Sequence, residues 1–289
     1  MMIRLGYDIE LQMPQSVALI AVLNVHPSRT ADLVEPDDLR LSPEVPRQIY
    51  FDSFGNRCTR ILAPQGPLRL WNSTLIRDTG NPDPVDLRAG QIPVERLSTD
   101  TLQFLLASRY CEVDRLSNLA WDLFGHISPG WARVQAICDW VHQHVTFGYQ
   151  FARSTKTALE VSVERQGVCR DFQHLAIALC RAMHIPARYA TGYLGDIGVP
   201  PTPDPMDFSA WFEAYLGSGN SGGRWWTFDA RHNRRRIGRV LMATGRDAAD
   251  VAITTSFGTS GLQKFSVVTE EVAEPFAPHA VVAHEAVEV

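Results

Sequence analysis

Apolar residues in the first ninety positions fall on alternate residues in short runs, 3–11, 17–24, 48–52, 57–62 and 68–76, each bounded by turn formers. A period of two is that of a half-buried strand, and Ser53-Phe54-Gly55-Asn56 reads as a hairpin connection. This stretch predicts a small β-sandwich. After Asn81-Pro82-Asp83-Pro84 the period lengthens, and three- and four-residue steps predict helices over 102–110, 114–124 and 131–145, the last opened by Ser128-Pro129. A further helix starts at Cys169, with Phe172, Leu175, Ala176, Leu179 and Met183 on one face and Arg170, Asp171, Gln173, His174 and Arg181 on others. Pro186 stops it, and a strand follows to Tyr193. Two alternating runs between Asp207 and Asp229 flank a glycine-rich tip, 217–223, which predicts a hairpin. A strand pattern returns over 265–269, and 273–289 is expected to fray or to lean on a neighbouring chain. The class is therefore α+β, divided at about 1–90, 91–245 and 246–289.

Composition narrows the functional classes. The 289 residues carry a formal charge of −5 and a pI near 6.0, which gives no electrostatic reason to expect nucleic acid or an anionic membrane as partner. The first ten residues lack the apolar core of a signal peptide, and 17–23 is too short to span a bilayer, so a cytoplasmic location is the expectation. Five cysteines without paired spacing argue against a disulfide framework and a cysteine zinc site. With no His-Glu-x-x-His, calcium loop or phosphate loop, neither a metal nor a cofactor is expected. A homo-oligomer stays compatible with the sequence.

Cys169 opens its helix in Gly167-Val168-Cys169-Arg170-Asp171-Phe172, where free backbone N–H groups and the helix dipole favour a thiolate. Cys138 and Cys180 fall within apolar patterns, as buried small hydrophobes do. In the hairpin, Ser209, Trp211, Glu213 and Tyr215 share one face; with the tip centred near Asn220, Ser209 and Asp229 become diagonal neighbours about 7–8 Å apart. Trp211, Trp225 and Tyr215 are candidates for contacting an extended peptide, although packing explains them equally well. Arg231, Arg234, Arg235, Arg236 and Arg239 read either as a carboxylate-binding run or as a solvated loop. The stretch 195–205, stiffened by prolines, is placed to rim the cleft.

Gly-Val-Cys-Arg-Asp-Phe, then Ser209-Ala210-Trp211-Phe212-Glu213-Ala214-Tyr215, then Trp226-Thr227-Phe228-Asp229 resemble, in order and spacing, the motifs of the transglutaminase-like superfamily of bacterial cysteine enzymes. The resemblance implies a papain-like core over 91–245, helices packed on an antiparallel sheet, behind a β-rich N-terminal region. It implies a Cys, His, Asp triad in which Cys169 is the nucleophile and Asp229 orients the base. The histidine position holds Ser209, and a hydroxyl can neither take a thiol proton nor return it at neutral pH. Three readings follow. His232 or His174 substitutes, although a five-residue step turns His174 about 140° away from Cys169 and His232 reaches back only if the chain bends after Asp229. Alternatively the helix terminus alone activates Cys169, with water or Asp229 moving protons. In the third, the fold survives as a catalytically inactive peptide- or protein-binding module. An active protein would form a Cys169 thioester with a peptide or protein amide, the Cys169 backbone N–H being one oxyanion donor, and hydrolysis is favoured over cross-linking.

Overall fold

The computed structural model describes residues 1–202, 205–217 and 222–273. Alternation in the first segment yields β1 (Met2–Met13), β2 (Val17–Ala21), β4 (Arg47–Phe51), β5 (Arg57–Ala63) and β6 (Gly66–Arg77), to which the structure adds β3 (Arg40–Ser42), a strand that the alternation did not predict. The middle of the chain gives α1 (Val113–Phe124), α2 (Trp131–His144), β7 (Thr146–Phe147), α3 (Ala158–Glu164), β8 (Gln166–Gly167) and α4 (Cys169–Ala182). Then come β9 (Ala187–Tyr193), β10 (Ser209–Gly217), β11 (Gly223–Phe228), β12 (Val240–Gly245), β13 (Thr254–Ser256) and β14 (Gly261–Val272). No helix among the described residues is long and apolar enough to cross a membrane.

Two four-stranded sheets, ordered β14-β1-β6-β3 and β13-β2-β5-β4, enclose one apolar cluster that includes Ile3, Leu5, Leu19, Ile61 and Leu70. The strand expected at 265–269 lies within β14, antiparallel to β1, and β13 pairs with β2, so the end of the described chain completes both sheets. The third sheet, β11-β10-β9-β12, packs on α4, and α1, α2 and α3 surround that helix in a second apolar cluster. The fold is thus α+β, helices on an antiparallel sheet beside a β-sandwich.

Three local departures have physical causes. The helix expected over 102–110 is one 3-10 turn, Leu102–Leu105, because Arg181 takes the Leu106 carbonyl at 3.0 Å and the Ser108 hydroxyl at 3.1 Å. A helix that periodicity missed, α3, is set by a capping box in which Glu160 Oε2 accepts the Thr157 N–H and Thr157 Oγ1 accepts the Glu160 N–H. The polar residues of α4 do not face solvent: Asp171, Gln173, His174 and Arg181 are all buried. The fraying expected over 273–289 and the tip near 220 concern residues 274–289 and 218–221, outside the described residues, as are 203 and 204 in the proline loop.

Candidate active site

Three elements bring the chemistry together. Asp171 Oδ2 accepts the Val168 N–H at 3.0 Å, which closes the first turn of α4 and holds Cys169 at its start. Gly167 is required there, since a Cβ would come within 2.8 Å of that same carboxylate oxygen. On the sheet, Ser209 pairs with Gly192, and the backbone N–H of Ala210 faces the Cys169 sulfur, as does that of Arg170. The β10–β11 register, Phe212 opposite Phe228 through Gly217 opposite Gly223, is symmetric about position 220 and places Asp229 just beyond the end of β11.

There the chain turns. Asp229 Oδ1 accepts the backbone N–H groups of Arg231 at 3.0 Å and His232 at 3.1 Å, and the Asn233 N–H reaches the Asp229 carbonyl at 2.8 Å. Asn233 takes the left-handed conformation, φ 47°, that closes the turn. The turn carries His232 back so that its Nδ1 lies 2.9 Å from Asp229 Oδ2. Its Nε2 lies 3.2 Å from Arg231 Nη1. A guanidinium only donates, so Nε2 accepts and Nδ1 carries the proton toward Asp229. That tautomer leaves Nε2 as the basic nitrogen, engaged by Arg231.

Asp229 is the hub of this arrangement. Burial opposes its ionisation, but the Arg239 guanidinium and hydrogen bonds from His232 outweigh burial and hold the carboxyl well below the usual range. Arg239 Nη2 meets Asp229 Oδ2 at 2.8 Å while its Nε meets Asp83 Oδ2 at 2.9 Å. Gln173 on α4 donates to Asp229 Oδ1 at 3.1 Å and to the Ala210 carbonyl at 3.2 Å, and accepts the Ala230 N–H at 3.2 Å. One carboxamide therefore ties helix, strand and turn together. Periodicity singled out neither Gln173 nor Arg239, because their partners are distant in sequence.

Two cavities meet at Cys169. One, of about 140 Å³, is lined by Cys169, Ser209, His232, Asp207, Tyr149 and Arg231, among others. The other, of about 360 Å³, shares Cys169, Asp207, Phe208 and Ser209 and is bounded by Tyr110, Arg170 and the small apolar side chains of 248–253. Thr202 and Pro205 of the proline stretch line the first of these.

Several expectations change. Cys169 is half-buried while the other four cysteines are buried, yet no thiolate results: burial pushes its thiol up to about 11, against the opposing pull of Arg231. The helix terminus is outweighed by desolvation. His174 is a buried residue, not a surface one; its Nε2 accepts the Ala248 N–H at 3.1 Å and its ring stacks on Tyr110. Trp211 is buried beneath Arg239, whose guanidinium sits 5.2 Å from the ring centroid. Trp225 packs edge-on against Tyr215 and Phe104, both at 5.2 Å, and neither Tyr215 nor Trp225 lines the two cavities at Cys169. The arginine run divides: Arg234 and Arg235 are exposed, Arg231 is half-buried, and Arg236 and Arg239 are buried.

The profile of the transglutaminase-like superfamily matches residues 118–230, ending two positions before His232. The solved structure named Putative Cysteine Protease from Cytophaga hutchinsonii is 32% identical, superposes with a TM-score of 0.80, and is matched over 96% of this chain and 93% of its own. An uncharacterized protein of Mycobacterium leprae is 31% identical over 119 residues, and one of Mycobacterium tuberculosis 35% over 97. Those stretches span 40% and 31% of the two mycobacterial proteins, and 39% and 32% of this chain. With a matching profile over the core and a relative alike from sandwich to final strand, this chain belongs to the transglutaminase-like superfamily.

Proposed function

We propose that the protein is a cysteine-dependent acyl-transfer enzyme that hydrolyses peptide or protein amides, with His232 serving as the base that position 209 lacks. The fold and the Cytophaga relative, whose name is that of a cysteine protease, support a general cysteine-protease-like function. The observation that carries the finer reading is the 2.9 Å contact between His232 Nδ1 and Asp229 Oδ2, on a histidine that lines the Cys169 cavity.

The Cys169 sulfur attacks the carbonyl carbon as its proton passes to His232 Nε2, which Arg231 must first release. Asp229 holds the imidazole and stabilises the imidazolium. Collapse expels the amine with that proton and leaves a thioester, which water resolves by the same route. A thiol that is protonated at rest fits a base acting during attack better than a preformed ion pair. It also favours, more than any other observation, the second reading of an inactive binding module.

p-Nitrophenyl acetate as acyl donor tests the proposal. Cys169→Ala should abolish release of p-nitrophenolate above background, and His232→Ala should slow it by about 10²–10⁴. A wild-type rate in Cys169→Ala leaves the binding reading, and a wild-type rate in His232→Ala alone removes His232 as the base.

A further inference from the structure

Ser209 is 8% exposed, and its hydroxyl has no hydrogen-bond partner among the described residues. Buried hydroxyls are nearly always bonded, usually to nearby backbone, because an unmade bond in a dry site is costly. Here the backbone is occupied: Ser209 is paired with Gly192 on β9, and its carbonyl accepts the Thr191 hydroxyl at 3.1 Å. The Oγ is enclosed and unpartnered, and the residue that carries it borders a specific space. Ser209 lines both cavities that meet at Cys169, and the next residue, Ala210, turns its N–H to the sulfur. A group arriving at the sulfur therefore enters a space that Ser209 lines.

Ser209 has no means of serving as the base, since its hydroxyl neither gains nor loses a proton near neutral pH. What it offers is a donor. We propose that Ser209 Oγ–H is a catalytic hydrogen-bond donor to the carbonyl oxygen of the acyl substrate, strengthening as that oxygen becomes an oxyanion. The inference rests on the Cys169 chemistry proposed above and adds a residue to it. In the step concerned, the sulfur bonds to the carbonyl carbon, the C=O π pair moves onto oxygen, and the thiol proton goes to His232. Ser209 lends its hydrogen to the oxygen without transferring it, and the pair returns when the leaving group departs. The bond missing from the resting fold is then made where charge develops, the condition under which a donor accelerates a reaction.

Two reagents attacking the same sulfur separate this role from any effect on the thiol. p-Nitrophenyl acetate acylates Cys169 through an oxyanion, whereas iodoacetamide alkylates it by displacement at carbon with no oxyanion. Both rates are measured on the full chain, wild type and Ser209→Ala, with Cys169→Ala as blank. Acetylation should fall by about 10²–10³ in Ser209→Ala while alkylation keeps the wild-type rate, which also shows that the site is intact. Equal slowing of both reactions, or of neither, overturns the donor role and leaves Cys169 chemistry standing. Acetylation of Cys169→Ala at the wild-type rate would instead remove the thiol chemistry, and the donor with it.

Discussion

Arg239 Nη2 lies 2.8 Å from Asp229 Oδ2, with both side chains buried, and the same guanidinium reaches Asp83 at 2.9 Å. One cation thus neutralises two carboxylates behind the candidate base. Arg239→Met should destabilise the protein by about 3–5 kcal/mol in urea unfolding, since it strands a buried charge. A loss below about 1 kcal/mol would mean that Asp229 finds its compensation elsewhere.

His174 gives a pH dependence. Burial first, then Arg170 and Arg181, hold its imidazole neutral well below its ordinary value, while Tyr110 and Tyr189 pack on the ring. The unfolded chain takes up the proton near pH 6.5 and the folded chain does not. Stability from this group is therefore full above about 6.5 and is lost as pH falls below it, by up to about 1.4 kcal/mol per pH unit. Thermal unfolding between pH 7 and pH 5 should show a shallower slope in His174→Gln; an unchanged slope would sink the assignment.

Cys169 should be the first cysteine labelled by iodoacetamide, because the other four are buried. With its thiol pushed up to about 11, labelling should accelerate continuously with pH through neutrality. A rate already level at pH 6 would reveal a thiolate paired with His232, contrary to the desolvated site described here.

In the proposed chemistry Gln173 has a positioning role. Removing its carboxamide loosens Ala210, Asp229 and Ala230 together. Gln173→Ala should lower kcat for p-nitrophenyl acetate by about 10- to 100-fold through misplacement of the Asp229–His232 pair, with KM little changed. A KM effect alone would mean that it shapes the pocket instead.

Legibility in the sequence followed the range of the interaction. Five of the six strands of the first 77 residues and the hairpin register could be read because a period of two and a glycine-rich tip are local signals, whereas β3, three residues long, is too short to show a period. The placement of Cys169 at the head of α4 was local too. The bend that returns His232 to Asp229 left a fainter mark: an aspartate followed by Ala-Arg-His-Asn, whose side chain caps its own turn. Arg239 showed only as part of a basic run, and Gln173 and the depth at which α4 is buried left no mark, since each depends on partners brought from distant segments, and propensity carries no record of those. The thiol's state is not legible for the same reason, as burial belongs to the assembled molecule and the helix terminus to a short stretch of chain.

The pairing of β14 with β1 and β13 with β2 bears on how the molecule is born. A ribosome exposes β1 early, but its outer edge stays unsatisfied until residues near 272 emerge. The first sheets can finish only after the whole helical segment and its sheet have been synthesised, a high-contact-order closure that makes folding slow and late. Nascent chains halted before β13 should therefore be held by chaperones or degraded, however well their helices have formed.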